Sequence, residues 1–128
     1  MTTNHPCLKK AKSLIDGDGI FTTKLIKKGE KFYIIPVDNI VNVPTPRFAH
    51  IGKGQYVCDE AVLNWVNHSC NPSAILDIST DHPCLKAAQD ILPGEEITCD
   101  YDKTEAGGTE AACNCGDKKC RGRFLRIQ

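Results

Sequence analysis

Near its C-terminal end the chain reads "CNCGDKKCRGRFLRIQ", which places Cys113, Cys115 and Cys120 in a C-x-C-x4-C cluster, three thiols within eight residues. No other stretch limits the fold so tightly. Zinc takes four ligands in a tetrahedron, with sulfur at about 2.3 Å, and closely spaced cysteines supply several of them from one turn. Three thiolates leave one position open, so a metal here draws its fourth ligand from elsewhere and pins the tail to the rest of the molecule. Cys7, Cys58, Cys70, Cys84, Cys99 and the four histidines are the available donors, and composition does not choose among them. Gly116 and Gly122 suit the tight turns of such a knuckle. The ordinary alternative is three reduced cysteines with no common task.

Eight cysteines in 128 residues would also suit a disulfide framework. The N-terminal "MTTNHPCLKK" lacks the apolar stretch of a secretion signal, which favours metal or free thiols and an intracellular setting, cytoplasmic or nuclear and not secreted. With 16 basic and 16 acidic side chains the formal charge is zero. That balance makes no electrostatic case for direct nucleic-acid binding or for an anionic membrane surface. No apolar run approaches the roughly 18 residues of a membrane span. The length suits one domain around one core.

Ahead of the tail, strand patterns dominate. "GIFTTKLI" (19–26) and "EKFYIIPV" (30–37) are rich in β-branched and aromatic residues, with "KKGE" as the turn between them. "NIVNV" and "QYVC" predict short strands around the link "PTPR", "SAILDI" another, and "PGEE" a turn into "ITCDY". "DEAVLNWV" suggests a short helix capped by Asp59, with Ala61, Val62, Trp65 and Val66 on its apolar side. "LKAAQDI" is ambiguous, its composition favouring helix. "KTEAGGTEAA" reads as a link to the cysteine-rich tail. The expected class is mostly β with short helices.

Two further strings carry chemistry. "DGDGIF" sets two glycines one residue apart, but Thr22 stands where a dinucleotide fingerprint needs a third glycine, and a strand follows instead of a helix. Counted as a calcium loop from Asp16, the twelfth position is Lys27 instead of glutamate. On its own it is a plain turn. "NWVNHSCNPSA" (64–74) gathers Asn67, His68, Ser69, Cys70 and Asn71 into five consecutive positions behind an apolar approach.

The strings "GDGIFTTKLIKKGE", "NHSCNPSA", "GEEITCDY" and "CNCGDKKCRG" follow one another in the order found in SET-domain protein lysine methyltransferases with a post-SET zinc motif, and the chain resembles that family from about Asp16 to Leu125. The resemblance implies a β-clip-like fold with knot-like threading of the C-terminal segments. It divides the chain into a SET domain at 1–102 (ordered from about residue 14), a linker at 103–112 and a post-SET zinc segment at 113–128. It implies S-adenosylmethionine as methyl donor and a lysine-containing protein or peptide as substrate, histones among the candidates.

Residue by residue, the resemblance makes Tyr101 the catalytic tyrosine and Tyr56 a second candidate channel tyrosine. Asn67, His68 and Tyr101 would contact the methyl donor, the backbone at Gly17, Asp18 and Gly19 would cradle its amino-acid end, and Phe124 or Leu125 would close over it. Cys70 would complete the zinc site with Cys113, Cys115 and Cys120. Ser69 and Asn71 would be structural hydrogen-bonders, Pro72 would stiffen the exit, and Tyr33 would belong to the core.

The role assigned to Tyr101 makes physical sense. Methyl transfer from a sulfonium to an amine is an in-line displacement, so alignment is the main task. A lysine near pKa 10.4 must shed its proton, which a buried apolar channel favours. A tyrosine hydroxyl orients either partner without carrying charge.

The chain also departs from the family pattern. Asn64 and Trp65 stand where many relatives have Arg-Phe, removing any ion pair made by that arginine. Asp18 stands where an aromatic separates the glycines, and Ser73 follows Asn71-Pro72 where relatives often have a second asparagine. Cys99 replaces the aromatic usual two residues before the tyrosine, a neighbourhood that influences how many methyl groups fit. Its short side chain predicts di- or trimethyl-lysine products. Two other readings stand beside a methyltransferase: a catalytically silent SET fold that binds a lysine-bearing peptide, and a zinc or thiol module with a redox function.

Overall fold

Short runs of β-branched and aromatic residues, broken by Pro, Gly and Asn-rich turns, make strands the dominant regular element among the described residues. The structure, a computed structural model, describes residues 7–15, 17–79, 82–101, 109–113 and 120–126. In chain order the strands are β1 (Leu8–Lys12), β2 (Asp18–Thr22), β3 (Lys31–Ile34), β4 (Ile40–Val41), β5 (Ala49–Gly52) and β6 (Gln55–Val57). After a single 3-10 turn at Leu63–Trp65 come β7 (Asn67–His68), β8 (Ala74–Asp77), β9 (Cys84–Ala87), β10 (Glu96–Cys99), β11 (Thr109–Ala112) and β12 (Arg123–Arg126).

They form four small sheets, ordered β1-β2-β10-β7, β3-β9-β8, β4-β6-β5 and β11-β12. The pairing that places the site is β7 with β10. It is parallel, setting Asn67 opposite Thr98 and His68 opposite Cys99, while β10 also runs antiparallel to β2. The core lies between the sheets and gathers Ile20, Phe32, Tyr33, Val57, Leu85, Ile91 and Ile97.

The expected strands at "GIFTTKLI", "EKFYIIPV", "NIVNV", "QYVC", "SAILDI" and "ITCDY" each overlap an observed strand, although in the first of them the strand stops at Thr22. Three expectations change. "DEAVLNWV" is not an α-helix. Nor is Asp59 its cap residue: only a 3-10 turn forms, capped at Val62 without a side-chain bond, while the Asp59 carboxylate accepts from the Ala61 and Leu63 N–H groups at 3.2 and 3.1 Å just ahead of it. The chain must turn extended by Val66 to enter β7, which leaves no room for a full helical turn. "LKAAQDI" contributes to β9, the central strand of its sheet, with Leu85 and Ala87 buried: pairing on both edges overrides a composition that favours helix. Of the stretch read as a link, 109–112 form β11.

Tyr33 is a core residue, as expected. Its hydroxyl donates to the buried Asp59 at 2.6 Å, and burial, with that carboxylate, pushes its pKa up. Cys99 is 2 % exposed and belongs to the same core cluster. Burial, and secondarily the charge of Asp100, pushes its thiol up to about 12. An unfolded thiol ionises near 9. Between these values the folded state holds the extra proton, so Cys99 adds stability below pH 9 that is lost as pH rises through 12. Cys99→Ser should therefore flatten the alkaline decline of urea stability; an unchanged slope between pH 9 and 11 would contradict this.

Candidate functional site

Asn67 is the centre of the polar cluster. It is buried at the start of β7, and its side-chain amide donates to the Asp18 carbonyl at 3.2 Å and to Glu96 Oε2 at 2.9 Å. The Glu96 carboxylate also accepts from Ser13 Oγ at 2.8 and 3.0 Å. The Ser13 N–H in turn donates to the Gly17 carbonyl at 2.8 Å, closing the loop before β2. The Gly-Asp-Gly turn, Asn67 and Glu96 are thus one connected unit. Glu96 had no assigned role on sequence grounds, although "GEE" repeats an acid at the mouth of β10.

Gly19 is required by close approach instead of by its dihedrals. A Cβ there would collide with the Glu96 carboxylate and stand 3.2 Å from Asn67 Nδ2. Gly19→Ala should push Glu96 off both Ser13 and Asn67 and cost about 1–3 kcal/mol in urea unfolding. Adding Glu96→Ala should recover part of that loss, and strictly additive costs would show that the collision is not the cause. Gly17 differs: its φ is +45° and a Cβ there meets open space.

Tyr101 follows β10 and is 5 % exposed. Its hydroxyl donates to the Val66 carbonyl at 2.6 Å and accepts from Arg47 Nη1 at 2.7 Å. Arg47 also donates through Nε to the Asn64 carbonyl at 2.9 Å and through Nη2 to Asn67 Oδ1 at 3.4 Å. A guanidinium is therefore present beside position 64, delivered by Arg47 from seventeen residues earlier in the chain. Sequence reading missed Arg47, whose link "PTPR" carries no sign of it. Asn64 is occupied locally, its Oδ1 accepting from the Asp59 N–H at 3.1 Å. The indole N–H of Trp65 donates to the Glu60 carbonyl at 2.8 Å, and the Lys10 ammonium sits 4.0 Å over its ring.

The other side of Tyr101 leads to the thiols. The Tyr101 N–H donates to His68 Nδ1 at 2.9 Å, so Nδ1 presents its lone pair and the ring proton belongs on Nε2. Nε2 lies 3.4 Å from Cys70 Sγ, to which it donates. Cys70 Sγ is 3.7 Å from Cys113 Sγ and accepts from the Arg121 N–H at 3.2 Å. The Arg121 guanidinium pairs with both Asp100 oxygens at 3.2 and 2.9 Å, tying the tail next to Tyr101.

His68, Cys70 and Cys113 converge within 4.8 Å, the one group of three or more potential metal-binding side chains among the described residues. The sulfur spacing fits zinc: two thiolates on a tetrahedral ion with bonds of about 2.3 Å stand about 3.8 Å apart. His68 is the poorer ligand of the three, because the nitrogen that faces the sulfurs carries the proton. It stands instead as a donor to the Cys70 sulfur, as groups around a metal-bound sulfur do. Cys120 is not in this trio; its sulfur accepts from the Gly122 N–H at 3.4 Å. Cys115 lies outside the described residues.

Of the remaining expected site residues, Tyr56 is buried on β6 with its ring 5.0 Å from that of His50. Phe124 and Leu125 lie on β12 opposite Ala111 and Glu110. Ser69 Oγ accepts from the Asn71 backbone N–H at 3.1 Å, the structural role expected for Ser69.

A family model described as SET domain matches residues 17–102. The chain belongs to the SET-domain family. This SET domain is 29% identical over 136 residues to Histone-lysine N-methyltransferase 2B of Homo sapiens, covering 89% of this chain and 5% of that protein. It is 31% identical over 130 residues to Histone-lysine N-methyltransferase trithorax of Drosophila virilis, covering 86% and 3%. The chain thus spans a small fraction of these relatives' length. In fold it is similar to KRYPTONITE in complex with mCHG DNA and SAH (TM-score 0.68, 24% identity, 91% of this chain and 28% of that one). It is similarly close to KRYPTONITE in complex with mCHH DNA, H3(1-15) peptide and SAH (TM-score 0.69, 23% identity, 91% and 29%). The expected β-rich SET architecture is the one observed.

Proposed function

We propose that this SET domain is a protein-lysine N-methyltransferase that uses S-adenosylmethionine, with histones among its candidate substrates. The observation that carries the reading is the nearly buried Tyr101 hydroxyl, linked through Arg47 to Asn67 and through Asn67 to Asp18 in the Gly17–Gly19 turn. The names of the relatives and the SAH complexes of KRYPTONITE support it.

S-adenosylmethionine, when bound, supplies an electrophilic methyl carbon on a sulfonium. The chain's own residues align and exclude water. Asn67 and His68, with the backbone of Gly17, Asp18 and Gly19, hold the donor, and Phe124 and Leu125 cover it. Tyr101 orients the amine, and its buried surroundings favour the neutral form that attacks. Tyr56 borders the lysine channel. Cys70, Cys113, Cys115 and Cys120 hold a structural zinc that joins residues 113–128 to the body at 1–102. Cys99, small where relatives carry an aromatic, leaves room for a second and third methyl group.

Incubation with labelled S-adenosylmethionine and a panel of lysine-bearing proteins, histones included, tests the reading by mass spectrometry. Label on lysine, reaching the di- or trimethyl form, is the expected result, and Cys99→Tyr should stop earlier. Donor binding with peptide capture but no label would favour the silent fold, which the Asp18 and Asn64 departures recommend. Absence of donor binding together with reactive thiols would favour the redox module.

A further inference from the structure

We propose that Arg47 is a positioning residue for methyl transfer, holding the Tyr101 hydroxyl so that it meets the substrate amine only as a hydrogen-bond acceptor. The proposal rests on the reading of this SET domain as a methyltransferase. It begins with an unusual piece of backbone. Residues 45–48 form a turn closed by the Phe48 N–H on the Thr45 carbonyl at 3.1 Å, with Pro46 in its second position and Arg47 in its third at φ +70°. That third position of a type II turn favours glycine or asparagine. An arginine held in the left-handed region points to a demand made by its side chain.

The side chain meets such a demand. Its three donor nitrogens reach the Asn64 carbonyl, the Tyr101 hydroxyl and Asn67 Oδ1, at 2.9, 2.7 and 3.4 Å. A planar guanidinium presents these donors in one rigid fork, which an ammonium cannot copy. The bond to Tyr101 matters most. A tyrosine hydroxyl has one proton to give, and here it goes to the Val66 carbonyl at 2.6 Å. Arg47 donates into the oxygen from another direction, so rotation of the hydroxyl proton toward the guanidinium is blocked. Toward any further group the oxygen is an acceptor.

That polarity has a chemical consequence. An amine that donates one of its N–H bonds to Tyr101 keeps its nitrogen lone pair for the methyl carbon. If the hydroxyl were able to swing, it would donate to the amine nitrogen and engage the electron pair that must form the new N–C bond. Arg47 and the Val66 carbonyl together prevent this.

Arg47→Gly is the suitable variant, because glycine keeps the turn while removing the guanidinium. It should lower kcat on the order of tenfold to a hundredfold, with a smaller rise in KM for the methyl donor through the lost Asn67 contact, and Arg47→Lys should recover only part. In a Tyr101→Phe background Arg47→Gly should cost nothing further in kcat, since the hydroxyl it acts through is gone. Additive losses would assign Arg47 a merely structural part and overturn the proposal, as would a faster Arg47→Gly enzyme. The ¹³Cζ resonance of Tyr101 gives a readout independent of turnover, and it should shift in Arg47→Gly. An unmoved resonance overturns the contact itself. A wild-type protein that binds no donor and methylates nothing overturns the methyltransferase reading, and this role with it, while the resonance still reports the contact.

Discussion

Tyr101→Phe should lower methyl transfer on the order of 10²-fold, the scale of loss when a group that aligns the reacting atoms is removed. The substitution removes one oxygen from a site that is 5 % exposed and leaves the ring, its edge-on contact with His68 at 5.5 Å and the backbone N–H bond to His68 in place. Donor affinity measured by calorimetry should therefore change little, and the loss should appear in kcat. His68→Ala makes the instructive contrast. It removes the acceptor for the Tyr101 N–H and the donor to Cys70, so donor binding and tail attachment should weaken together. Equal loss of donor affinity in both variants would show the roles assigned to the two residues to be wrong.

The second large effect concerns metal. The protein should carry one zinc per chain by elemental analysis, and Cys70→Ser should release it. Cys70 is the body's only cysteine in the described sulfur pair, 3.7 Å from Cys113, so its loss disconnects the tail. Chelation should free residues near 113 to proteolysis before the core melts, because the Ile20, Phe32 and Ile97 cluster does not depend on the tail. Full zinc content in Cys70→Ser would contradict the assignment. Retained zinc in Cys70→Ser that is lost in His68→Ala/Cys70→Ser would hand the fourth position to the histidine.

Much of this arrangement is legible in the sequence, for identifiable reasons. Strand runs such as "EKFYIIPV" declare themselves through local composition, and the long strings around Asn67, Tyr101 and Cys113 are too particular to belong to many folds. What stays hidden depends on distant contacts. Strand β1 is "LKKAK", a lysine-rich edge that no propensity favours and that exists because β2 offers a partner. Glu96 reads as a turn residue until Ser13 and Asn67 arrive from other strands. Arg47 lies 54 residues from the tyrosine it touches, in a proline-rich link with nothing local to mark it. Cys99 shows the opposite limit: sequence likeness points to its neighbourhood, while only packing shows how completely it is buried.

The insertion of β10 between β2 and β7 has a consequence for the order of synthesis. A ribosome that has released the chain only as far as Gly94 has made β2, β7 and both smaller three-stranded sheets, yet the strand that joins β2 to β7 is still inside the tunnel. Asn67 then has no Glu96, His68 has no Tyr101 backbone to receive, and Cys70 has no tail sulfur. On the proposed function, the nascent protein should accordingly be unable to hold its methyl donor until the residues after Gly94 emerge, and translation products truncated before β10 should bind none.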